Sequence, residues 1–472
     1  MRTGIHTKCL SVNSLCQTDL SETAHNLQLN LRTGYTPKLL VRVTSIGLFV
    51  LLISVSLTAC QSIQLPAWQR LTEFWPGNGS QPPTKIELKL LGWETDDAAS
   101  QQLSAVIEMF NAQHSDVHAS VQLVADYTDT LNRAFLDGEA PDLFFVDSLQ
   151  FPTLVQAQKI QSISDYARQS GQSLQTDAFY APLLEAFTSE QSLYCLPNAF
   201  NTLALVYNKA LFDQAGISYP TEEWGWSELR TAAQAINELP TTFFDISGMA
   251  IAPDFARWAP FLYQAGGSVT NATGTSMTLN TPEALEAMNF YLNLVLDGAA
   301  VEPQRISSTW SGEAFGKGRV GMIIEGNWVI PYLQQEFPDL DYGVVSLPAG
   351  PAGKATVAFT WCYAVSQNTL YSNAAFELAL YLTSQDAMQL LGRGQSAIPA
   401  RLALRDEWLA QHSSLEPFTD GVAYAHPWRF GANFQDVIVA INSSMQQVLD
   451  AEVSTEEALR VANVVGTEVL SR

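Results

Sequence analysis

From residue 85 onward the chain alternates between two hydrophobic periods, and this alternation constrains its fold more tightly than any other feature. Ile86, Leu88 and Leu90 recur at every second residue, which predicts a strand over 85–93, and the apolar spacing then changes to that of a helix over 98–113. A strand over 117–125, a helix over 128–136 and a short, wholly apolar strand over 143–146 follow. The last is bounded by Gly138, Pro141 and Asp147 and has the composition of a buried parallel strand. Later strands are expected over 203–207, 249–252, 320–324, 342–345 and 357–365, with helix-period segments between them. Thr281, Pro282 and Glu283 supply an N-cap, a first-position proline and a first-turn acid for a helix that Asp297 and Gly298 close. The pattern implies an α/β fold with helices covering the sheets, and 472 residues suit two large lobes.

Ahead of that body, Lys38 and Arg42 precede an apolar run over 43–59 that ends in Leu57, Thr58, Ala59 and Cys60. The run is short for a membrane span, and small residues directly before a cysteine fit a cleavage site better than an anchor helix. The segment resembles a bacterial lipoprotein signal, which implies a leader over 1–59, cleavage before Cys60, acylation of that cysteine and an extracytoplasmic, membrane-tethered body. Residues 60–84, with prolines, glycines and no periodicity, read as a flexible tether. The chain holds 24 Lys and Arg against 47 Asp and Glu, a net charge of −23, which makes phosphate backbones improbable partners. Beyond Cys60, Cys195 and Cys362 are the one pair available for a disulfide, and the sequence is equally consistent with two free thiols.

The catalytic and cofactor motifs that the sequence offers do not hold. Gly316 to Gly321 spells G-x-G-x-x-G, but it ends a helix and opens a strand, the reverse of what a dinucleotide loop requires. His114 and His118 are four apart but straddle a predicted helix end, so they do not make a metal site, and no H-E-x-x-H, paired C-x-x-C or G-x-S-x-G occurs. No metal or organic cofactor is expected. A secreted glycoside hydrolase is the alternative from another functional class, since the acidic composition offers many carboxylate pairs.

A series of short motifs in order carries a resemblance. Ala140-Pro141-Asp142-Leu143, Leu196-Pro197, the stretch 203–212 and Ala215-Gly216-Ile217 come first. Trp226-Ser227-Glu228-Leu229, Gln264-Ala265-Gly266-Gly267, the stretches 318–328 and 342–350, and Ile398-Pro399-Ala400 follow. Together they resemble the extracellular solute-binding proteins of ABC importers, in the maltose and multi-sugar group. The resemblance implies a two-lobed fold, a ligand cleft between the lobes, and delivery of the solute to a membrane permease with its ATPase by a monomeric protein. Carried onto this chain, one lobe would comprise 85–204 with 348–400 and the other 205–347 with 401–472. Polyamines, iron and glycerol phosphate are the alternative solutes within that superfamily.

A sugar presents a hydroxyl rim and apolar C–H faces, so its site needs aromatic platforms and planar polar groups. Trp93 and Glu94 follow the first strand and Asp147 the third, at the strand ends where open α/β sheets place ligands. Asp147 is equally suited to cap the next helix. Asn201 and Thr202 lie just before an expected crossing strand. By the resemblance, Trp258, Trp328, Trp361 and Trp428 fall where aromatics face the cleft, with two or three of them expected on ligand. Asn327 adds an amide, Arg429 a fork of donors and Gln395 a further polar candidate. Trp310 and Trp408 are assigned to core packing and Trp224 and Trp226 to structure.

Overall fold

The computed structural model describes residues 85–94, 96–240, 246–393 and 397–472; the expected leader, tether and Cys60, like Gln395, lie outside the described residues. Its main sheet contains eleven strands, numbered here in chain order: β1 (Ile86–Trp93), β2 (Val117–Val124), β3 (Leu143–Asp147), β4 (Pro197–Asn208), β5 (Ser247–Ala250), β6 (Ala300–Val301), β7 (Val320–Gly326), β8 (Tyr342–Val345), β9 (Thr356–Val365), β10 (Ile398–Pro399) and β11 (Ala425–Pro427). The main path runs β2-β1-β3-β9-β4-β7-β5-β6, with β8 and β10 also on β4 and β11 on β9. Strands β1, β2 and β3 are parallel and β9 is antiparallel to β3.

Local chemistry explains where the elements begin and end. Asp96 caps the helix Asp97–Gln113 by accepting the Ala99 N–H at 2.8 Å, and Ala99, Leu103, Val106, Ile107 and Phe110 form its buried stripe. Each large apolar side chain on that stripe contributes about 1.5–3 kcal/mol on burial, enough to outweigh the polar opposite face. Thr281 caps the helix Pro282–Leu296 through the Ala284 N–H, and Gly298 turns away from it at φ +78°. The glycines at 316–321 end the helix Ser311–Gly316 and lead into β7, with Gly318 at φ +67°, so they serve as a stop and a turn.

Strand β4 joins the two lobes. Its first half, Ala199 to Thr202, pairs antiparallel with β9, and its second half, Leu203 to Tyr207, pairs with β7 while Leu205 to Asn208 pair with β8. One strand thus joins both halves of the sheet, and it begins at Pro197 rather than at the expected Leu203 because Pro197 pairs with Cys362 of β9 while Ala199 and Phe200 also pair with β10. Buried side chains form two clusters. One is built on β1, β3 and the helix Asp97–Gln113 and continues through Ala204 and Val206 to Ile323 and Leu333. The other gathers Leu205, Trp258, Phe261, Tyr291, Met322 and Phe434.

After residue 401 the chain packs on the strands β4 and β10 before it reaches the second cluster. Leu404, Trp408, Phe418 and Val422 join the first cluster, and β11 pairs with β9. The chain reaches the second cluster at Trp428 and Phe430, because the short helices Arg405–Gln411 and Glu416–Gly421 bury their apolar side chains against β4 and β10. Cys195, just ahead of β4, is joined by a disulfide to Cys362 of β9, with a Cα–Cα distance of 5.9 Å.

Candidate functional site

Two surfaces flank the shared strands, and β9 supplies side chains to both. Residues two apart on a strand share a face, so Phe359, Trp361 and Tyr363 form one row. Trp361 lies opposite Asp147 of β3 and Ala199 of β4, and Phe359 lies opposite Asn201. Trp361 meets the half-buried Trp93 at 5.4 Å and Phe145 at 4.7 Å between ring centroids. Trp93 in turn meets Phe145 and Tyr127 edge-on, and the Tyr127 hydroxyl donates to the Phe145 carbonyl. Phe359 meets Trp328 at 5.8 Å and Trp428 at 5.2 Å. The row therefore connects the Trp93 cluster to the one formed by Trp328 and Trp428.

The second-lobe surface is built at the ends of β5 and β7. Asp254 caps the helix Phe255–Gln264 by accepting the N–H groups of Ala256 and Arg257 at 2.8 and 3.2 Å. Arg257 reaches back to Asp254 at 3.3 Å and forward to Glu325, at the end of β7, at 2.6 Å. The Trp328 indole N–H donates to Glu325 at 3.2 Å, and the Arg257 guanidinium lies 5.7 Å from the Trp328 ring centre. Burial pushes the Glu325 carboxyl above its ordinary range, while the Arg257 guanidinium opposes that shift. A cavity of about 250 Å³ opens beside this ion pair, with Tyr291, Thr309 and Trp310 among its walls.

On the first lobe, one Asp147 carboxylate oxygen accepts the N–H groups of Leu149 and Gln150 at 2.9 and 2.8 Å, so it holds the turn before the helix Phe151–Gln156. Burial raises its pKa, and those two donors act against the rise. Glu94 is exposed just beyond β1 and its N–H donates to Val124 at 2.9 Å. Arg429 donates to the Glu185 carbonyl at 3.4 Å and stacks over Phe151, where burial lowers its pKa.

Several of the expected site residues are fully or almost fully buried. Trp258 is fully buried in the second core beside Phe255, so it packs rather than faces a cleft. Thr202 is fully buried and its hydroxyl donates to the Phe418 carbonyl at 2.6 Å. Asn327 is also fully buried, and its amide donates to Asn201 at 2.8 Å, locking one expected ligand group onto another. Trp428 is only 7% exposed and packs among Phe255, Phe359 and Phe430. Trp93, Trp328 and Trp361 remain half-buried, as does Asn201. Trp310 is half-buried, packs against the first cluster and also lines the cavity beside Arg257 and Glu325.

Asp254, Arg257, Glu325 and Phe359 were not singled out from sequence. Asp254 and Arg257 stand three apart directly after Pro253, a helix-start signal, and Glu325 lies inside the 318–328 motif. Among the described residues no three or more His, Cys, Asp or Glu side chains are grouped to hold a metal, and no helix is long and apolar enough to cross a membrane.

Comparison with known proteins agrees with this architecture. The family profile described as "Bacterial extracellular solute-binding protein" matches residues 94–389. A binding protein of Brucella abortus (strain 2308) is 30% identical over 259 residues, 52% of this chain and 60% of the relative, so the match spans less than two thirds of that protein's length. The galactooligosaccharide-binding protein of Bacillus subtilis (strain 168) is 22% identical over 79% of this chain and 87% of its own. An ABC substrate-binding protein of Listeria monocytogenes, solved in complex with cycloalternan, superposes with a TM-score of 0.71 at 22% identity, covering 82% of this chain and 99% of that one.

Proposed function

This chain belongs to the bacterial extracellular solute-binding proteins, and from that premise we propose that it captures a carbohydrate, a mono- or oligosaccharide, between its two lobes and delivers it to an ABC permease. The observation that carries this reading is the row on β9, in which Trp361 joins Trp93 and Phe145 while Phe359 joins Trp328. Half-buried indoles present flat apolar faces to sugar C–H groups, and Asn201, Glu94 and the Asp254–Arg257–Glu325 set provide planar partners for hydroxyls. The galactooligosaccharide for which the Bacillus protein is named and the cycloalternan bound by the Listeria protein support the same solute class.

The role is binding, without catalysis. Closure of the lobes would bury the solute, and its higher affinity for the closed form would shift the equilibrium between open and closed states. The permease and its ATPase would supply the energy for transport. The lipobox-like sequence before Cys60 supports a lipid anchor on the outer face of the cell membrane, with the protein acting as a monomer beside its permease.

A thermal-shift screen against saccharides, polyamines, iron and glycerol phosphate tests the reading, with product analysis for every hit. A ligand at about 100 times its Kd adds about 2.7 kcal/mol to stability. The expected result is an unaltered saccharide that raises the midpoint. Hydrolysed saccharide would point instead to a glycosidase, and a shift with polyamine, iron or glycerol phosphate alone would overturn the carbohydrate assignment.

A further inference from the structure

We infer that Asn198 forms a small polar subsite beneath Trp361 that receives one hydroxyl or hydroxymethyl group of the bound sugar; the inference rests on the carbohydrate reading above. Between β9 and β4 the register runs Phe359 with Asn201, Thr360 with Phe200 and Trp361 with Ala199, and then jumps to Cys362 with Pro197. Asn198 is the residue left over, a β-bulge of the kind that redirects a side chain next to a site.

The bulge is held on every side. Ala400 donates its N–H to the Asn198 carbonyl at 3.1 Å, Pro399 pairs with Ala199, and the disulfide ties Cys195, three residues before Asn198, to the Cys362 that closes the register jump.

Asn198 is 6% exposed, and its Oδ1 has no hydrogen-bond partner within the protein. The residue lines a cavity of about 40 Å³ whose other walls include Leu103, Leu123, Phe145, Trp361 and Tyr363. An unmet buried acceptor is unfavourable, so a site of this kind is complete only with a donor in place. A water held there would need two to four polar partners, more than this aromatic and aliphatic cavity provides. A hydroxymethyl group matches better, since its carbon lies against the rings and its hydroxyl donates to Oδ1. Trp361 is shared by this cavity and the aromatic row, which sets the cavity beside the stacking platform.

The test is calorimetric titration of the full chain and of Asn198→Ala and Asn198→Leu with maltose, galactobiose and their monodeoxy derivatives. For the parent sugar that binds, both variants should lose affinity about tenfold, equivalent to about 1.4 kcal/mol for one neutral hydrogen bond. One monodeoxy derivative should bind the unmodified protein about tenfold more weakly and be indifferent to either substitution, a coupling that a merely structural role would not produce. Equal affinity of the unmodified protein for every monodeoxy derivative overturns the subsite without needing a folded variant, as does an equal loss for parent and derivatives in the variants. If the unmodified protein binds neither parent sugar nor any saccharide of the wider screen, the carbohydrate reading falls and the subsite with it.

Discussion

Trp258 and Trp361 lie on different helices and strands of one chain, and their surroundings assign them opposite roles. Trp258 is fully buried, so Trp258→Ala should cost about 3–5 kcal/mol in chemical denaturation. Trp361 is half-buried against Trp93 and Phe145, so Trp361→Ala should weaken sugar binding by about 10- to 100-fold, measured by titration, with a smaller loss of stability. Asp147 gives a pH signature. Its folded pKa is raised above the ordinary 3.8 by burial, so the folded state holds its proton to higher pH than the unfolded state does. Stability from this group is therefore full below 3.8 and declines as pH rises through the raised value. Asp147→Asn keeps an oxygen for the Leu149 and Gln150 N–H groups and removes the titration. Denaturant unfolding between about pH 3 and 7 should show the variant gaining on the natural chain as pH rises; a pH-independent difference would contradict this. At this scale the sequence is least legible. Residue type and motif brought Trp93, Trp328 and Trp361 into view, but nothing local distinguishes them from Trp258 or Thr202, whose burial is set by elements distant in sequence.

Elements were more legible, because hydrophobic period is a local property. The helix Pro282–Leu296 starts at the Thr281 cap expected from its sequence, and Tyr342–Val345 has the expected bounds. The early start of β4 was hidden because Pro197 and Asn198 are poor strand formers, and what holds them is pairing with β9 and β10, each more than 150 residues away. The disulfide adds a covalent link to the same junction. It closes a loop spanning 167 residues, for which loss of unfolded-chain entropy is about 5 kcal/mol on the loop-length model. Replacing both Cys195 and Cys362 with serine should therefore lower Tm by several degrees, on the order of 10 °C at most, as read by calorimetry. An unchanged Tm would show that the β4, β9 and β10 pairing suffices alone.

At the scale of the whole molecule, the two buried clusters meet along β4, which joins the lobes without a separating loop. The acidic charge and lipobox-like segment suit an exported protein, and labelled palmitate should enter the natural chain in a bacterial host but not Cys60→Ala. Fold class was legible here because alternation of strand and helix is a global pattern; the packing of 402–427 into the first buried cluster was not, because it depends on contacts with β4. The most direct test of the central claim is a calorimetric titration of the protein with the saccharide of largest thermal shift, run beside Trp361→Ala and Trp328→Ala. The account predicts one site per chain, a negative heat-capacity change from stacking apolar sugar faces, recovery of the sugar unaltered, and weakened binding in both variants. Binding undiminished in both variants would contradict it.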